Sequence, residues 1–84
     1  MGYKIAFKST VSKDLKKIDK QKAGDILDKI ETELSNNADK NPTLKGKFSG
    51  LRKFRAGDYR IIYTILTNDT VLILRIAHRK EVYR

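Results

Sequence analysis

The sequence predicts an α+β domain in which an αα-hairpin packs on one face of a curved, mainly antiparallel sheet, in the order β-α-α-β-β-β. Three observations predict it. Apolar residues recur at helical spacing only between Val11 and Leu34. Strand-like alternation dominates from Leu51 onward, broken by turn chemistry at Ala56-Gly57-Asp58 and at Thr67–Thr70. A short alternating stretch, Tyr3 to Lys8, precedes both. Helices early and a meander late make an α+β pattern, and 84 residues suit one domain with a small core.

The first strand has Tyr3, Ile5 and Phe7 on one face and Lys4, Ala6 and Lys8 on the other. Ser9-Thr10 ends it, and Ser9 or Ser12 is placed to cap the next element. Val11, Leu15 and Ile18 then form the apolar stripe of a short amphipathic helix, with Lys13, Asp14, Lys16 and Lys17 between them. Asp19 is a candidate N-cap for a second helix, whose inner side carries Ala23, Ile26, Leu27, Ile30 and Leu34. The charged residues of this hairpin read as a solvated face and receive no chemical role. Asn36 or Asn37 is suited to end the helix in left-handed geometry. Pro42 restricts Asn41 to extended backbone.

Residues 51–63 pack basic and aromatic side chains more densely than any other stretch. Alternation puts Lys53 and Arg55 on one face of a strand and Phe54 on the other, and Gly57 can supply a positive φ at the turn. Tyr59 to Leu66 is a β-branched and aromatic strand with one charge, Arg60. An arginine in such a strand is expensive unless it meets an anion. The plainer alternative is an edge-strand arginine reaching water or an acid. In the last strand, alternation groups Val71, Ile73, Arg75, Ala77 and Arg79 on one face and Leu72, Leu74, Ile76 and His78 on the other.

The chain carries a net charge of +9. Residues 1–44 hold nine lysines against seven acids, net +2, and residues 45–84 hold ten Lys/Arg against three acids, net +7. All six arginines lie in the second half. Arginine's planar fork suits phosphate, so a polyanion-binding face is expected there, with nucleic acid the first candidate. An acidic protein or an anionic membrane surface also fits the charge. The chain has no cysteine, which suits a reducing cytoplasm, and no apolar run long enough to span a membrane.

The candidate site residues are Lys53, Arg55, Arg60, His78, Arg79 and Tyr83, with Lys45 and Lys47 upstream. No cluster of His and carboxylates has metal-ligand spacing and no Gly-rich phosphate loop opens a helix, so no metal or cofactor is expected. The single histidine excludes a paired-histidine acid/base mechanism. One phosphate reaction needs none of these: attack by an RNA 2′-hydroxyl on its own neighbouring phosphorus. The protein must then orient the substrate, take a proton, stabilise charge on phosphorus and protonate the leaving oxygen. Arg60 and Arg79 suit charge stabilisation. Lys53 is a candidate base, because neighbouring cations favour the neutral amine. Arginine is a poor proton donor, so Tyr83, His78 or a lysine is the more natural acid, and Tyr83 can instead stack on a base.

The residues Leu44-Lys-Gly, Phe54-Arg-Ala-Gly-Asp-Tyr-Arg-Ile-Ile-Tyr63 and Arg75-Ile-Ala-His-Arg-Lys-Glu-Val-Tyr83 resemble the RelE/ParE toxin superfamily of toxin–antitoxin systems. The element order fits as well, so the resemblance covers nearly the whole chain and implies a RelE-like fold. RelE-type members cleave mRNA on the ribosome without metal, and ParE-type members block DNA gyrase. The closing Glu-Val-Tyr and the basic strand before Gly57 look like the RelE type. The resemblance implies that Arg60 contacts the scissile phosphate, that Arg79 acts as acid or phosphate stabiliser, and that Tyr83 stacks on a substrate base. The family's paired strand lysines fall on Lys53 and Arg55 with a shorter turn, or on Leu51 and Lys53 without a gap. It further implies a cytoplasmic toxin whose partners are a RelB-like antitoxin, the ribosome and mRNA.

Overall fold

The computed structural model describes residues 2–41, 50–66 and 69–78. Strand β1 (Lys4–Phe7) leads into helices α1 (Ser9–Lys16) and α2 (Lys20–Lys29). Strands β2 (Arg52–Ala56), β3 (Tyr59–Leu66) and β4 (Thr70–His78) follow. The four strands form one sheet in the order β1-β4-β3-β2. The pairs β2/β3 and β3/β4 are antiparallel, and β1 runs parallel to β4. The architecture is the α+β arrangement the sequence predicts.

One core lies between the helices and one face of the sheet. Val11, Ile18, Ile26, Ile30, Leu34 and Ala38 come from the helical layer and Ala56, Ile61, Tyr63, Val71, Ile73 and Ile76 from the sheet, all buried. The helical residues are largely those of the predicted apolar stripes. Helix α1 starts at a different cap than expected, and α2 at the expected one. Lys8 is the N-cap of α1, so Ser9 is already helical, and the N-cap of α2 is Asp19, whose carbonyl, not its carboxylate, accepts the Ala23 N–H. Neither cap makes a side-chain hydrogen bond.

The helical path also runs on past Asn36 and Asn37. After α2 comes a π-helical turn, Ile30–Leu34, then an α-turn at Ser35–Asn37 and a 3-10 turn at Ala38–Lys40. Asn37 sits at φ −124°, so no left-handed residue ends the helix there. Ile30 and Leu34, at the two ends of this π turn, are both wholly buried. Termination comes at Asn41, extended at φ −81° and ψ 150°, as a following proline requires.

Two irregularities in the sheet decide which side chains reach which face. Gly57 has φ +62° in the two-residue Gly57-Asp58 hairpin, the positive φ its sequence allows. In β4, Ile62 opposes Arg75 but Tyr63 opposes Ile73, so Leu74 is an extra residue. Strict alternation would have put Arg75 on the same face as Val71 and Ile73. The bulge reverses the parity, so Ile76 joins them in the core and Arg75 is turned out.

Strand β1 ends opposite Ile73, which leaves the outer edge of the remaining β4 residues to α1. Lys8 N–H donates to the Ile73 carbonyl at 2.9 Å and Thr10 Oγ1 to the Leu74 carbonyl at 3.1 Å. The Asp14 carboxylate accepts from the Ile76 N–H at 3.0 Å and from the Arg75 guanidinium at 2.9 and 3.2 Å. Asp14 is thus buried and structural, which corrects its assignment to a solvated face. Burial alone would raise its carboxyl pKa. The hydrogen bonds from Arg75 and Ile76 and the positive charges of Arg75 and Lys17 outweigh burial and hold it below the ordinary value.

Candidate functional site

Directly opposed residues of antiparallel strands project to the same side. Phe54 opposes Ile61 and Ala56 opposes Tyr59, and this side faces the helices. Lys53 opposes Ile62, Arg55 opposes Arg60, and Arg60 opposes Ala77, so these three cations lie on the other side. Lys53, Arg55 and Arg60 line one cleft of about 280 Å³ together with Asn41 and Phe54.

Arg60 stands on an inner strand rather than an edge and is buried, 8% exposed, while Lys53 is half-buried and Arg55 exposed. Two like charges directly opposed across a ladder repel each other. A phosphate bound between Arg55 and Arg60 relieves that repulsion, and the two forked guanidiniums suit its oxygens. The cleft is therefore chemically fitted to an anion.

A hydrogen-bond cluster holds the chain at the cleft wall. The buried Tyr63 hydroxyl donates to the Ala38 carbonyl at 2.5 Å and accepts from Asn41 Nδ2 at 3.0 Å. Arg52, paired with Tyr63 in the ladder, donates to the carbonyls of Asn41 at 2.6 Å and Asp39 at 3.2 Å. Burial pushes the Tyr63 phenol up, offset only in part by the Asn41 hydrogen bond and the Arg52 charge. Sequence reading gave Asn41 and Arg52 no role in the site. The only signal for Asn41 was its position before Pro42.

The remaining candidates divide. His78 opposes Tyr59, with ring centroids 5.4 Å apart in an edge-to-face contact at 83°. It lies on the helix side of the sheet, away from Lys53, Arg55 and Arg60. Lys45, Lys47, Arg79 and Tyr83 fall outside the described residues. Among the described residues no group of three or more His, Cys, Asp or Glu could hold a metal ion, and no helix is long and apolar enough to cross a membrane.

Comparison with known proteins agrees with this fold. A family model described as the ParE toxin of the type II toxin–antitoxin system, parDE, matches residues 5–83. The chain is 31% identical over 84 residues to Toxin RelE of Mycobacterium tuberculosis, covering 98% of this chain and 87% of that one. It is 30% identical over 86 residues to Toxin RelG of the same organism, covering 100% and 99%. The crystal structure of the toxin–antitoxin complex RelBE2, also from M. tuberculosis, superposes with a TM-score of 0.84 at 28% identity, covering 94% of this chain and 100% of that one.

Proposed function

The chain belongs to the ParE toxin family of type II toxin–antitoxin systems, and from that premise we propose that it is a ribosome-dependent, metal-independent mRNA endoribonuclease that inhibits translation in the cytoplasm. The observation that carries this reading is the convergence of Lys53, Arg55 and Arg60 on one cleft. The relatives named RelE and RelG support it.

In this reaction the 2′-oxygen of one nucleotide attacks the adjacent phosphorus and the 5′-oxygen of the next nucleotide leaves. The products are a 2′,3′-cyclic phosphate and a 5′-hydroxyl end. Arg60, with Arg55 opposite, binds the phosphate and stabilises the charge that grows on its oxygens. Lys53 accepts the 2′-hydroxyl proton. Arg79 stabilises the phosphate or acts as the acid and Tyr83 stacks on a base, roles drawn from the superfamily resemblance; the phenol of Tyr83 is also chemically suited to supply the proton the 5′-oxygen takes up. Lys45 adds a phosphate contact. The helix-side placement of His78 weighs against it as the acid.

A cognate RelB-like antitoxin is the partner that silences the toxin. The solved RelBE2 relative is a toxin–antitoxin complex, and an acidic antitoxin would be drawn to a chain of net charge +9. Arg60→Ala and Arg79→Ala should each relieve growth arrest on induced expression while leaving circular dichroism unchanged. Loss of a charge-stabilising donor slows such reactions by about 10²–10³-fold. Two fully toxic variants would exclude this site.

The ParE name of the matched family favours a second reading, a DNA gyrase inhibitor without nuclease activity. It predicts growth arrest with intact mRNA and inhibition of supercoiling by the purified protein. Lys53 and Tyr83, which with Arg60 match the RelE-type motif positions, are the sequence features that argue against it.

A further inference from the structure

The cleft carries a polar group that the cationic chemistry above does not use. Asn41 lines it beside Lys53, Arg55 and Arg60, and its orientation follows from its neighbours. The Tyr63 hydroxyl has one proton, which it gives to the Ala38 carbonyl, a group that can only accept. The Tyr63 oxygen is therefore an acceptor toward Asn41, and the amide nitrogen must face it. That leaves the amide oxygen, Oδ1, turned away from Tyr63. The Asn41 backbone is fixed as well, because its carbonyl is held by Arg52. Among the described residues nothing donates to Oδ1.

Charged cations hold phosphate and are indifferent to the sugar, and Lys53, the one group given a 2′-hydroxyl above, meets only that of the attacking nucleotide. A pinned neutral acceptor beside those cations calls for a ligand that offers both an anion and, a few ångströms away, a hydroxyl donor. A ribonucleotide offers both, and the 2′-hydroxyl is the group that distinguishes it from a deoxyribonucleotide. We propose that Asn41 is a substrate-binding residue whose Oδ1 accepts a hydrogen bond from a ribose 2′-hydroxyl, other than the attacking one, of the RNA lying in the cleft. This assignment rests on the RNA-cleaving reading of the same cleft and adds a residue and a sugar specificity to it.

The test uses the whole toxin without ribosomes and three single-stranded oligonucleotides of one sequence: RNA, its 2′-fluoro analogue and DNA. The 2′-fluoro chain keeps the ribose-like pucker but has no hydroxyl to donate. One neutral hydrogen bond of about 0.5–1.5 kcal/mol corresponds to a roughly 2- to 12-fold difference in Kd. Wild type should bind RNA tighter than 2′-fluoro RNA by that factor. Asn41→Ala should narrow that ratio by weakening RNA but not 2′-fluoro RNA, and should keep its salt dependence, since the phosphate contacts remain. A merely structural role for Asn41 would weaken all three ligands alike and leave their ratios unchanged.

Equal affinity of wild type for RNA and 2′-fluoro RNA overturns the proposal, and that arm needs no variant to fold. A preference undiminished in folded Asn41→Ala overturns it too. Failure of the nuclease reading shows elsewhere, as intact mRNA in a translating extract.

Discussion

Asp14→Ala probes how the edge of β4 is closed. The substitution removes the acceptor for the Ile76 N–H and for two Arg75 donors. The N–H is buried beyond the end of β1, and leaving such a group unsatisfied costs about 1–3 kcal/mol. The Arg75 side chain is 56% exposed, so water replaces Asp14 there and the pair itself adds at most about 1 kcal/mol. The expected loss is roughly 2–3 kcal/mol. With a urea m-value of about 1 kcal/mol/M for a chain of this size, the midpoint should fall by roughly 2–3 M. Arg75→Ala leaves Asp14 on the Ile76 N–H and near Lys17, and should cost only about 1 kcal/mol. The pH dependence has a defined sign. The folded Asp14 carboxyl lies below its ordinary value, so its stabilisation is complete above the unfolded pKa of about 3.9 and is lost as pH falls through the folded pKa. The gap between wild type and Asp14→Asn should therefore close in acid. An Asp14→Ala loss under about 0.5 kcal/mol, or an Arg75→Ala loss larger than it, would refute this account of the edge.

Tyr63→Phe deletes the hydroxyl that ties the end of the helical layer to the sheet. It leaves the Ala38 carbonyl and the Asn41 amide without their partner, so thermal denaturation should show a loss of about 1–2 kcal/mol. Gly57→Ala places a side chain at φ +62° where, its chain neighbours aside, no described atom lies within 4 Å of the new Cβ. Only backbone strain is at issue, about 1–2 kcal/mol, and an unchanged urea midpoint would contradict the turn.

The order of elements was legible because each carries its own period. The stripe Ile26, Ile30 and Leu34 and the pairing of β2 with β3 through Gly57 are local patterns, and local patterns survive folding. What was not legible depends on partners distant in sequence. Asp14 looked like any helix-surface acid until β1 ended short and exposed the Ile76 N–H 62 positions away. The bulge at Leu74 leaves no mark on an unbroken apolar run, so the face of Arg75 was misassigned. The same holds for the site. Alternation put Lys53 and Arg55 on one face, and Arg60 stood out as a charge in an apolar strand. The role of Asn41 depends on Tyr63 and Arg52, whose approach requires the whole sheet. His78 was grouped with the cations as a candidate acid, while the ladder sets it beside Tyr59 on the opposite side.

The central claim is that this cleft cuts mRNA on the ribosome. Its most direct test is primer extension on an mRNA translated in a cell-free system, comparing wild type with Arg60→Ala and including ribosome-free controls and chelator-treated reactions. The account predicts cuts within codons that require ribosomes, persist in chelator wherever ribosomes remain intact, and disappear in Arg60→Ala. Intact mRNA in the presence of wild-type protein that still arrests growth would contradict it and point to gyrase.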